Sequence, residues 1–194
     1  TWLKLEAKRT EESDTVNKYK GELLVGGVVG EALYTSVYDC AVEAQIKVEQ
    51  DGTNVVNSYF GGVAGKFNDG KIYNVYVAPS YSESGSLIDK IKNKNGVLTA
   101  IAGNEADIII SNRKDANSEV VFGGIVGFAR GASLNIYNTV FSSMISSETP
   151  TKLLRGGIIG KVSTNPIDHP KELLYSKHLN ILNSDVLSFS GSVG

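Results

Sequence analysis

Few side chains in this sequence have the chemistry that catalysis or metal binding requires. The chain has one cysteine, Cys40, and two histidines, His169 and His178. The histidines are nine residues apart, so the HExxH spacing of zinc proteases is absent. One cysteine and two histidines are fewer than the four ligands that a structural zinc site uses. Because Cys40 lies inside a strand-like segment, its thiol is expected to be buried and unreactive. The sequence therefore predicts no metal site and no cofactor.

The serine and carboxylate patterns of hydrolases are equally weak. No GxSxG phrase, which would expose a serine nucleophile on a sharp strand-to-helix turn, occurs in the sequence. Paired carboxylates for glycoside cleavage can be assembled in many combinations from Asp39, Asp69, Asp107 and Asp185, so the rule for such pairs selects none of them. We therefore expect no catalytic residues and no enzymatic activity.

Length and charge narrow the classes of partner. The chain has 194 residues, 19 basic and 21 acidic side chains, and a formal net charge of −2. This near-neutral balance argues against a nucleic-acid partner, for which a basic excess is typical. A hydrophobic content of 41% excludes a disordered tail. No run approaches the roughly 18 apolar residues of a membrane span, so membrane contact is expected only through an anchor outside this segment.

A glycine-rich phrase recurs along the chain. Each full copy has two glycines, two further small or aliphatic residues and a third glycine; a degenerate copy begins at Thr99, and a shortened one at Gly191. Successive copies start 35, 38, 24, 33 and 35 residues apart, and periods of this size are typical of solenoids, propellers and repeat arrays. The full copies are Gly26–Gly30, Gly61–Gly65, Gly123–Gly127 and Gly156–Gly160.

A second phrase follows each copy: an aliphatic residue, a variable residue, and then Asn or Asp. In the copies that begin at Gly26, Gly61 and Thr99, the Asn or Asp comes 13 residues after the first residue. In the copy that begins at Gly123 this distance is 15 residues, with an insertion around Gly131-Ala132. In the copy that begins at Gly156 it is 27 residues, with an insertion within Thr164–His178. In four copies another apolar residue lies three positions after the Asn or Asp. The phrase ends at Asp39, Asn74, Asn112, Asn138 and Asn183, and the later apolar residues are Val42, Val77, Phe141 and Val186.

The pattern inside each copy is that of β-strands. Lys71–Val77 alternates between apolar and polar residues, and no window sustains an amphipathic helix over three turns. We predict an all-β fold, a mainly right-handed parallel β-solenoid (β-helix) of about five irregular coils, with a β-sandwich as the alternative. Residues 1–194 are expected to form a single repeat array, with units starting near 26, 61, 99, 123, 156 and 191, and to be a fragment of a longer protein.

Structural roles are expected for the glycines and for the recurring Asn or Asp. The Gly-Gly pair would adopt backbone conformations that a Cβ forbids or would allow close approach of adjacent coils, and the third glycine would turn the chain. The Asn or Asp side chains would stack in a ladder and hydrogen-bond turn backbone groups. The alternative is a calcium site built from Asp39 and neighbouring carbonyls, but only one of the five ladder positions is acidic.

Three tyrosines, Tyr38, Tyr73 and Tyr137, follow the aliphatic residue of the second phrase. Their shared register would align them along one face of a solenoid. Such a row is a candidate partner-binding surface, either for stacking on sugars or for anchoring a protein contact. The alternative is that these tyrosines fill an exposed sheet face, because the β propensity of tyrosine is high.

The combination of GG[VI]xG, a polar turn and [IV]xN resembles the GLUG motif of bacterial surface proteins. Phe60–Gly65 with Ile72–Asn74 carries the resemblance best, followed by Phe122–Gly127 with Ile136–Asn138, and it covers roughly residues 24–194. The resemblance implies a β-solenoid, secretion and a role at the cell surface, as in adhesin-like proteins and in the non-catalytic regions of IgA-specific metallopeptidases. It brings no catalytic residues, because the motif is a structural unit.

Three functions are compatible with these patterns. The first is a non-enzymatic extracellular module for adhesion, spacing or partner binding at a bacterial cell surface, where it would contact a host or matrix protein or a glycan. The second is an accessory region of a secreted metalloprotease, which binds substrate or positions the catalytic domain. The third is a polysaccharide-active β-helix enzyme. We favour the first, because the sequence offers no catalytic signature.

Overall fold

Regular backbone structure is entirely β-strand in the residues that the computed structural model describes. These are residues 2–9, 22–50, 57–78, 108–111, 119–142, 145–147, 153–163 and 178–188. Fourteen strands lie in these ranges, and every pairing between them is parallel. The predicted all-β class is confirmed. None of the described residues belongs to a helix long and apolar enough to cross a membrane.

The strands follow one another along the chain with short turns or longer connections between them. Their bounds are Trp2–Arg9 (β1), Leu23–Gly26 (β2), Val29–Gln50 (β3), Ser58–Gly61 (β4), Ala64–Ala78 (β5), Ile108–Ser111 (β6), Val120–Gly123 (β7), Val126–Tyr137 (β8), Val140–Ser142 (β9), Ile145–Ser147 (β10), Leu153–Gly156 (β11), Ile159–Ser163 (β12), His178–Leu182 (β13) and Asp185–Ser188 (β14).

The strands stack in four layers, each of which contains one full copy of the glycine-rich phrase. Layer 1 consists of β2 and β3, layer 2 of β4–β6, layer 3 of β7–β10 and layer 4 of β11–β14. The strands β2, β4, β7 and β11 form one sheet in that order, and β3, β5, β8 and β12 are neighbours in a second, larger sheet. Outside layer 1, β1 pairs with Glu43–Gln50 of β3.

A two-residue turn joins the two sheets in every layer, and these turns also stack. The Val63 N–H donates to the carbonyl of Ile125 at 2.9 Å, and the Ile125 N–H donates to the carbonyl of Ile158 at 2.9 Å. The polar backbone groups of a turn are thus satisfied by the adjacent layer rather than within their own layer. Each layer therefore depends on its neighbours for stability.

Single residues in the left-handed backbone conformation bend the long strands of the larger sheet. In β3, Tyr34 and Asp39 have φ angles of 50° and 51°. In β5, Asp69 and Asn74 occupy the same places in the register, with φ angles of 54° and 53°. Asp and Asn tolerate this region better than most residues. The sheet therefore curls at the same two places in adjacent layers.

The register places layer 2 directly against layer 3, because β4 and β5 pair with β7 and β8. The degenerate copy Thr99–Gly103 lies outside the described residues and stays a prediction. Its second phrase, Ile110-Ser111, was expected at the same position as Ile72-Tyr73 but pairs instead with Val48-Glu49 of β3. Residues 108–111 therefore form the last strand of layer 2 and not the middle of a separate layer.

The insertions predicted from the irregular spacing fall within the larger sheet. Between the partners of Asn68 and Gly70, β8 has two more residues than β5, at the predicted Gly131-Ala132. In layer 4, β12 and β13 both pair with β8. They are separated by residues 164–177, which lie outside the described residues. The insertion is accommodated because β12, before it, and β13, after it, both remain in register with β8.

The core is built from columns of apolar side chains, with one member from each of layers 1 to 3. A large ring alternates with small side chains where Phe67, which is fully buried, lies between Ala32 and Ala129. This alternation fills the interior at high density without overlap. The main columns are Val25, Phe60 and Phe122; Ala32, Phe67 and Ala129; Val37, Ile72 and Ile136; and Val42, Val77 and Phe141.

Close approach of the backbone accounts for the repeated glycines. A Cβ on Gly62 would lie against the carbonyl oxygen of Gly124 in the next layer and 2.6 Å from Cγ1 of Val77. A Cβ on Gly65, the third glycine of its phrase, would lie 2.8 Å from the carbonyl oxygen of Tyr59. None of these glycines has a positive φ, so they are required for space and not for a special conformation. The third glycine lies within a strand and does not turn the chain, contrary to our expectation.

A smaller apolar cluster lies outside the main core, around Tyr59 of β4. The Tyr59 ring stacks on Phe128 with a centroid separation of 4.9 Å, and Val121 packs beside them. The side chain is only 4% exposed. Burial, reinforced by the negative charges of Glu22 and Glu119, raises the pKa of Tyr59 to about 12.

We predict that Gly62→Ala destabilises the protein by about 3 kcal/mol, because the new methyl group overpacks the contact between layers 2 and 3. Gly30→Ala is the matched control, since its Cβ would meet nothing closer than the carbonyl oxygen of Leu24 at 3.1 Å. Its expected cost is below about 1 kcal/mol. Urea unfolding measures both values, and equal costs would contradict the close-approach explanation.

We also predict a loss of stability at alkaline pH that depends on Tyr59. The unfolded chain loses the phenolic proton near pH 10, whereas the folded chain retains it to about pH 12. Deprotonation therefore favours the unfolded state, so this contribution is complete below pH 10 and is lost as the pH rises toward about 12. Because only the wild type carries this phenol group, its urea midpoint should fall more steeply than that of Tyr59→Phe between about pH 9 and about pH 12. Parallel curves would contradict the prediction.

Candidate functional site

Three tyrosines lie in one column on the outer face of the larger sheet. Each follows a buried aliphatic residue, and because side chains alternate along a strand, the tyrosine points outward. Tyr38 of β3 pairs in register with Tyr73 of β5, and Tyr73 pairs with Tyr137 of β8. The alignment expected from their spacing is therefore present, while partner binding by these side chains stays a prediction.

The three tyrosine rings stack face to face. The ring centroids of Tyr38 and Tyr73 are 4.9 Å apart with an interplanar angle of 4°, and those of Tyr73 and Tyr137 are 5.1 Å apart with an angle of 5°. These separations follow from the strand spacing of about 4.8 Å in a parallel sheet. Offset stacking of this kind adds to the stability of the column.

Stacking determines which parts of the tyrosines a partner can reach. Both faces of the Tyr73 ring are covered by its neighbours, so it presents only its edge and hydroxyl group to solvent. Tyr38, at the end of the stack, is 54% exposed and keeps one face open. At the other end, Leu182 of layer 4 is the register partner of Tyr137. A sugar ring, which binds to an aromatic face, would therefore find a platform only at Tyr38, and most of the row offers edges and hydroxyl groups.

An Asp–Asn ladder lies immediately beside the tyrosine column. The Asn74 amide Nδ2 donates to Oδ1 of Asp39 at 2.8 Å, and the Asn138 amide Nδ2 donates to Oδ1 of Asn74 at 3.2 Å. Asn138 and Asn183 share the left-handed conformation of the other two, with φ angles of 52° and 48°. Asn112 lies outside the described residues. The predicted ladder is thus present across layers 1 to 3, with hydrogen bonds between side chains of adjacent layers.

The ladder has a direction, because each amide donates toward layer 1. It ends at Asp39, an exposed carboxylate that can only accept hydrogen bonds when ionised. The calcium alternative placed a metal at this residue. Among the side chains that the structure describes, no group of three or more His, Cys, Asp or Glu comes together there or elsewhere. Hydrogen bonds between the side chains of adjacent layers account for Asp39, Asn74 and Asn138 at these positions.

A third column completes this surface on the side of the tyrosines away from the ladder. The Asn180 amide Nδ2 donates to Oδ1 of Asn135 at 2.8 Å, which links layers 3 and 4. We name the three columns together the tyrosine face. Its members are Ser36, Lys71, Asn135 and Asn180; Tyr38, Tyr73 and Tyr137; and Asp39, Asn74 and Asn138.

The phenol group of Tyr73, in the middle of the tyrosine face, is protonated at neutral pH. Partial burial raises the pKa of Tyr73, and the adjacent hydroxyls of Tyr38 and Tyr137 and the charge of Asp39 raise it further. A protonated phenol both donates and accepts hydrogen bonds. The face therefore offers a regular row of tyrosine hydroxyl groups flanked by amides, which suits a polar partner such as a glycan or a protein main chain.

The remaining candidate residues have structural surroundings. Cys40 of β3 is half-buried, and desolvation together with the adjacent charge of Asp39 raises the pKa of its thiol. A raised pKa lowers the thiolate fraction and hence the reactivity. Asp69 of layer 2 accepts a hydrogen bond from the Ser133 backbone N–H of layer 3 at 2.5 Å. His169 lies outside the described residues.

Sequence reasoning missed an ion-pair network that joins layers 1 and 2. The Lys66 ammonium lies 3.0 Å from Oε2 of Glu22 and 3.4 Å from Oε1 of Glu31. In the same place in the register two layers on, Lys161 pairs with Glu119. The sequence contained a signal for the pair of Glu31 and Lys66, because these residues are 35 positions apart, which is the repeat period between layers 1 and 2.

Comparison with known families identifies the repeated unit. Residues 21–48 match the family model described as the GLUG motif. The chain carries a GLUG motif. The searches for similar curated proteins and for similar solved structures found no match.

The matched segment of the GLUG motif coincides with layer 1. It spans β2, the glycine turn, and β3 as far as Val48, and it includes both left-handed bends as well as Tyr38 and Asp39. The register then extends the same geometry to layers 2 and 3, where Tyr73 and Asn74 occupy the corresponding places. One GLUG motif therefore contributes one ring to the tyrosine column and one member to the adjacent ladder.

We predict that Asn74→Asp destabilises the protein by about 1–2 kcal/mol, because it replaces the amide donor to Asp39 by a second carboxylate. Asp39→Asn is the matched control, since an asparagine at this position still accepts the Asn74 hydrogen bond. Urea unfolding at neutral pH measures the free energy of unfolding of both variants. The ladder makes no such contribution if the two variants are equally stable.

Proposed function

We propose that this chain is a parallel β-solenoid that acts as a non-enzymatic extracellular module, and that the tyrosine face binds a host or matrix protein or a glycan. The observation that carries the proposal is the stack of Tyr38, Tyr73 and Tyr137 at 4.9 and 5.1 Å. Three partly exposed aromatic residues in one rigid row are typical of binding surfaces.

The parallel register supports a solenoid over the alternative β-sandwich. Sandwiches of the immunoglobulin type are built from antiparallel sheets, whereas all pairings among the described strands are parallel. Each layer also runs from the smaller sheet through a tight turn into the larger one, and the long strands of layers 1 and 2 then bend at two left-handed positions each. A chain that repeats this path and advances one strand per layer forms a solenoid.

The construction of the tyrosine face supports a binding role over catalysis. Its polar groups are hydroxyls and amides held in fixed columns, and the amides are engaged with one another. Such groups offer hydrogen bonds to a partner at a regular spacing. They include no nucleophile paired with a base, which acyl transfer or glycoside cleavage would need.

Placement at a bacterial cell surface rests on the GLUG motif. The resemblance implies secretion, and a stack of layers can be lengthened without altering the surface that each layer presents. A module of this kind would hold its tyrosine face away from the cell while it serves as a spacer. Both properties suit adhesion.

We expect that replacing Tyr38, Tyr73 and Tyr137 together by serine weakens binding to a glycan array or to immobilised matrix glycoproteins by at least about tenfold. Tyr34→Ser is the matched control, because Tyr34 is 67% exposed but lies outside the stack. Far-ultraviolet circular dichroism and urea unfolding check that both variants remain folded.

A second triple variant, with phenylalanine at the three positions, separates the contributions of the rings and the hydroxyl groups. Since the stacked faces are covered, we expect the phenylalanine variant to lose most of the binding as well. If the triple serine variant is folded and binds every probe as the wild type does, the tyrosine face is not the binding surface.

A further inference from the structure

The tyrosine column holds three phenol groups side by side on the outer surface of the larger sheet. Tyr38 and Tyr73 stack with a centroid separation of 4.9 Å and an angle of 4°, and Tyr73 and Tyr137 with 5.1 Å and 5°. Side chains stand roughly perpendicular to a sheet, so the outer edge of each ring carries the hydroxyl group and the two carbons ortho to it. These are the atoms through which phenols couple with one another.

Phenol coupling requires two adjacent rings and a one-electron oxidant. Loss of one electron and of the hydroxyl proton converts each tyrosine to a radical, whose unpaired electron is shared between the oxygen and the ortho carbons. When two radicals meet, a carbon–carbon bond joins their ortho carbons. The hydrogen on each of these carbons moves to the phenol oxygen, which restores both hydroxyl groups. With a haem peroxidase as catalyst, one hydrogen peroxide molecule accepts the two electrons and two protons and is reduced to two water molecules.

The register of the column favours coupling within one molecule. Radicals in different molecules must first collide, whereas pairing of β3, β5 and β8 holds Tyr38, Tyr73 and Tyr137 as fixed neighbours. Such neighbours react at a high effective concentration. Rotation about the Cβ–Cγ bond is soft in tyrosine, and it turns two stacked rings toward a side-by-side arrangement in which their ortho carbons meet.

Neither exposure nor stacking alone places two phenols together. Tyr34 is 67% exposed, more than Tyr38 at 54%, but Asp69 occupies the corresponding place in layer 2. Tyr59 is stacked, but its neighbour Phe128 has no hydroxyl group, and Tyr59 is only 4% exposed. The tyrosine column combines both conditions, because outward-facing phenols are stacked on one another.

We propose that the tyrosine column is a site of oxidative cross-linking, at which a haem peroxidase with hydrogen peroxide couples Tyr73 to Tyr38 or to Tyr137 as dityrosine. The new bond joins layer 2 covalently to layer 1 or to layer 3. Since each layer otherwise depends on non-covalent contacts with its neighbours, a covalent link between residues distant in sequence restrains the unfolded chain and stabilises the stack. The reaction needs no partner on the tyrosine face, so its test is independent of the proposed binding function.

Treatment of residues 1–194 with a haem peroxidase and hydrogen peroxide tests this site. We expect dityrosine fluorescence in the monomer fraction and cross-linked peptides in a tryptic digest. The link from Tyr73 to Tyr137 joins residues 72–90 to residues 131–152, in which Tyr137 is the single tyrosine. The link from Tyr38 to Tyr73 joins residues 21–47 to residues 72–90, and fragment mass spectra identify the coupled tyrosines.

Tyr73→Phe is the decisive variant, because it keeps a ring in the stack but removes the phenol that both links share. We expect it to lower the yield of dityrosine within the monomer by at least about tenfold. Tyr34→Phe makes the same change at a more exposed tyrosine outside the column and should leave the yield unchanged. Circular dichroism checks that both variants are folded. The cross-linked wild-type monomer should also unfold at a higher urea concentration than the untreated protein.

Three results would overturn the proposal. The first is a treated wild-type protein whose dityrosine is absent or occurs only between molecules, since the column would then not bring its rings together. The second is a yield within the monomer that Tyr73→Phe leaves unchanged, since other tyrosines would then be coupled. The third is an equal urea midpoint for the cross-linked and untreated monomers, since the bond would then not reinforce the stack.

Discussion

The in-register parallel pairing of one layer on the next is the constraint on which the rest of the structure depends. Because equivalent residues in neighbouring layers are partners, each position of the repeat becomes a column, and the strand spacing fixes the distance between its members at about 4.8 Å. Apolar positions become the core columns, as with Phe67 between Ala32 and Ala129. The glycines keep the backbones close enough for this pairing: at Gly62 a Cβ would meet the carbonyl of the next layer.

The same constraint produces the candidate site. An outward tyrosine in each of three layers becomes a stack with interplanar angles of 4° and 5°, and an Asn or Asp at the next position becomes a hydrogen-bonded ladder. The ladder residues also supply the left-handed bends that curl the sheet. The residues that shape each layer are thus adjacent in sequence to those that form its outer surface, so one GLUG motif contributes both.

Much of the fold and of the site could be predicted because columns leave a periodic trace in the sequence. The alternation around Ile72 predicted which side chains point outward, and the shared register of Tyr38, Tyr73 and Tyr137 predicted their column. The assignment of Ile110-Ser111 failed for a physical reason. Spacing along the chain does not report which strand is the partner, and β6 pairs with Ile46–Glu49 near the end of β3. Binding by the tyrosine face remains a proposal.

The sequence by itself determined the all-β class, the positions of the repeated glycine phrase and the residue types in each column, because periodic burial leaves a periodic pattern in the sequence. Only the tertiary structure decided that layers 2 and 3 are direct neighbours, that the tyrosine rings cover one another's faces, and that Lys66 reaches Glu22 and Glu31. Each of these depends on which segments meet across the stack. That choice is made by the summed fit of many columns at once, which no single short phrase encodes.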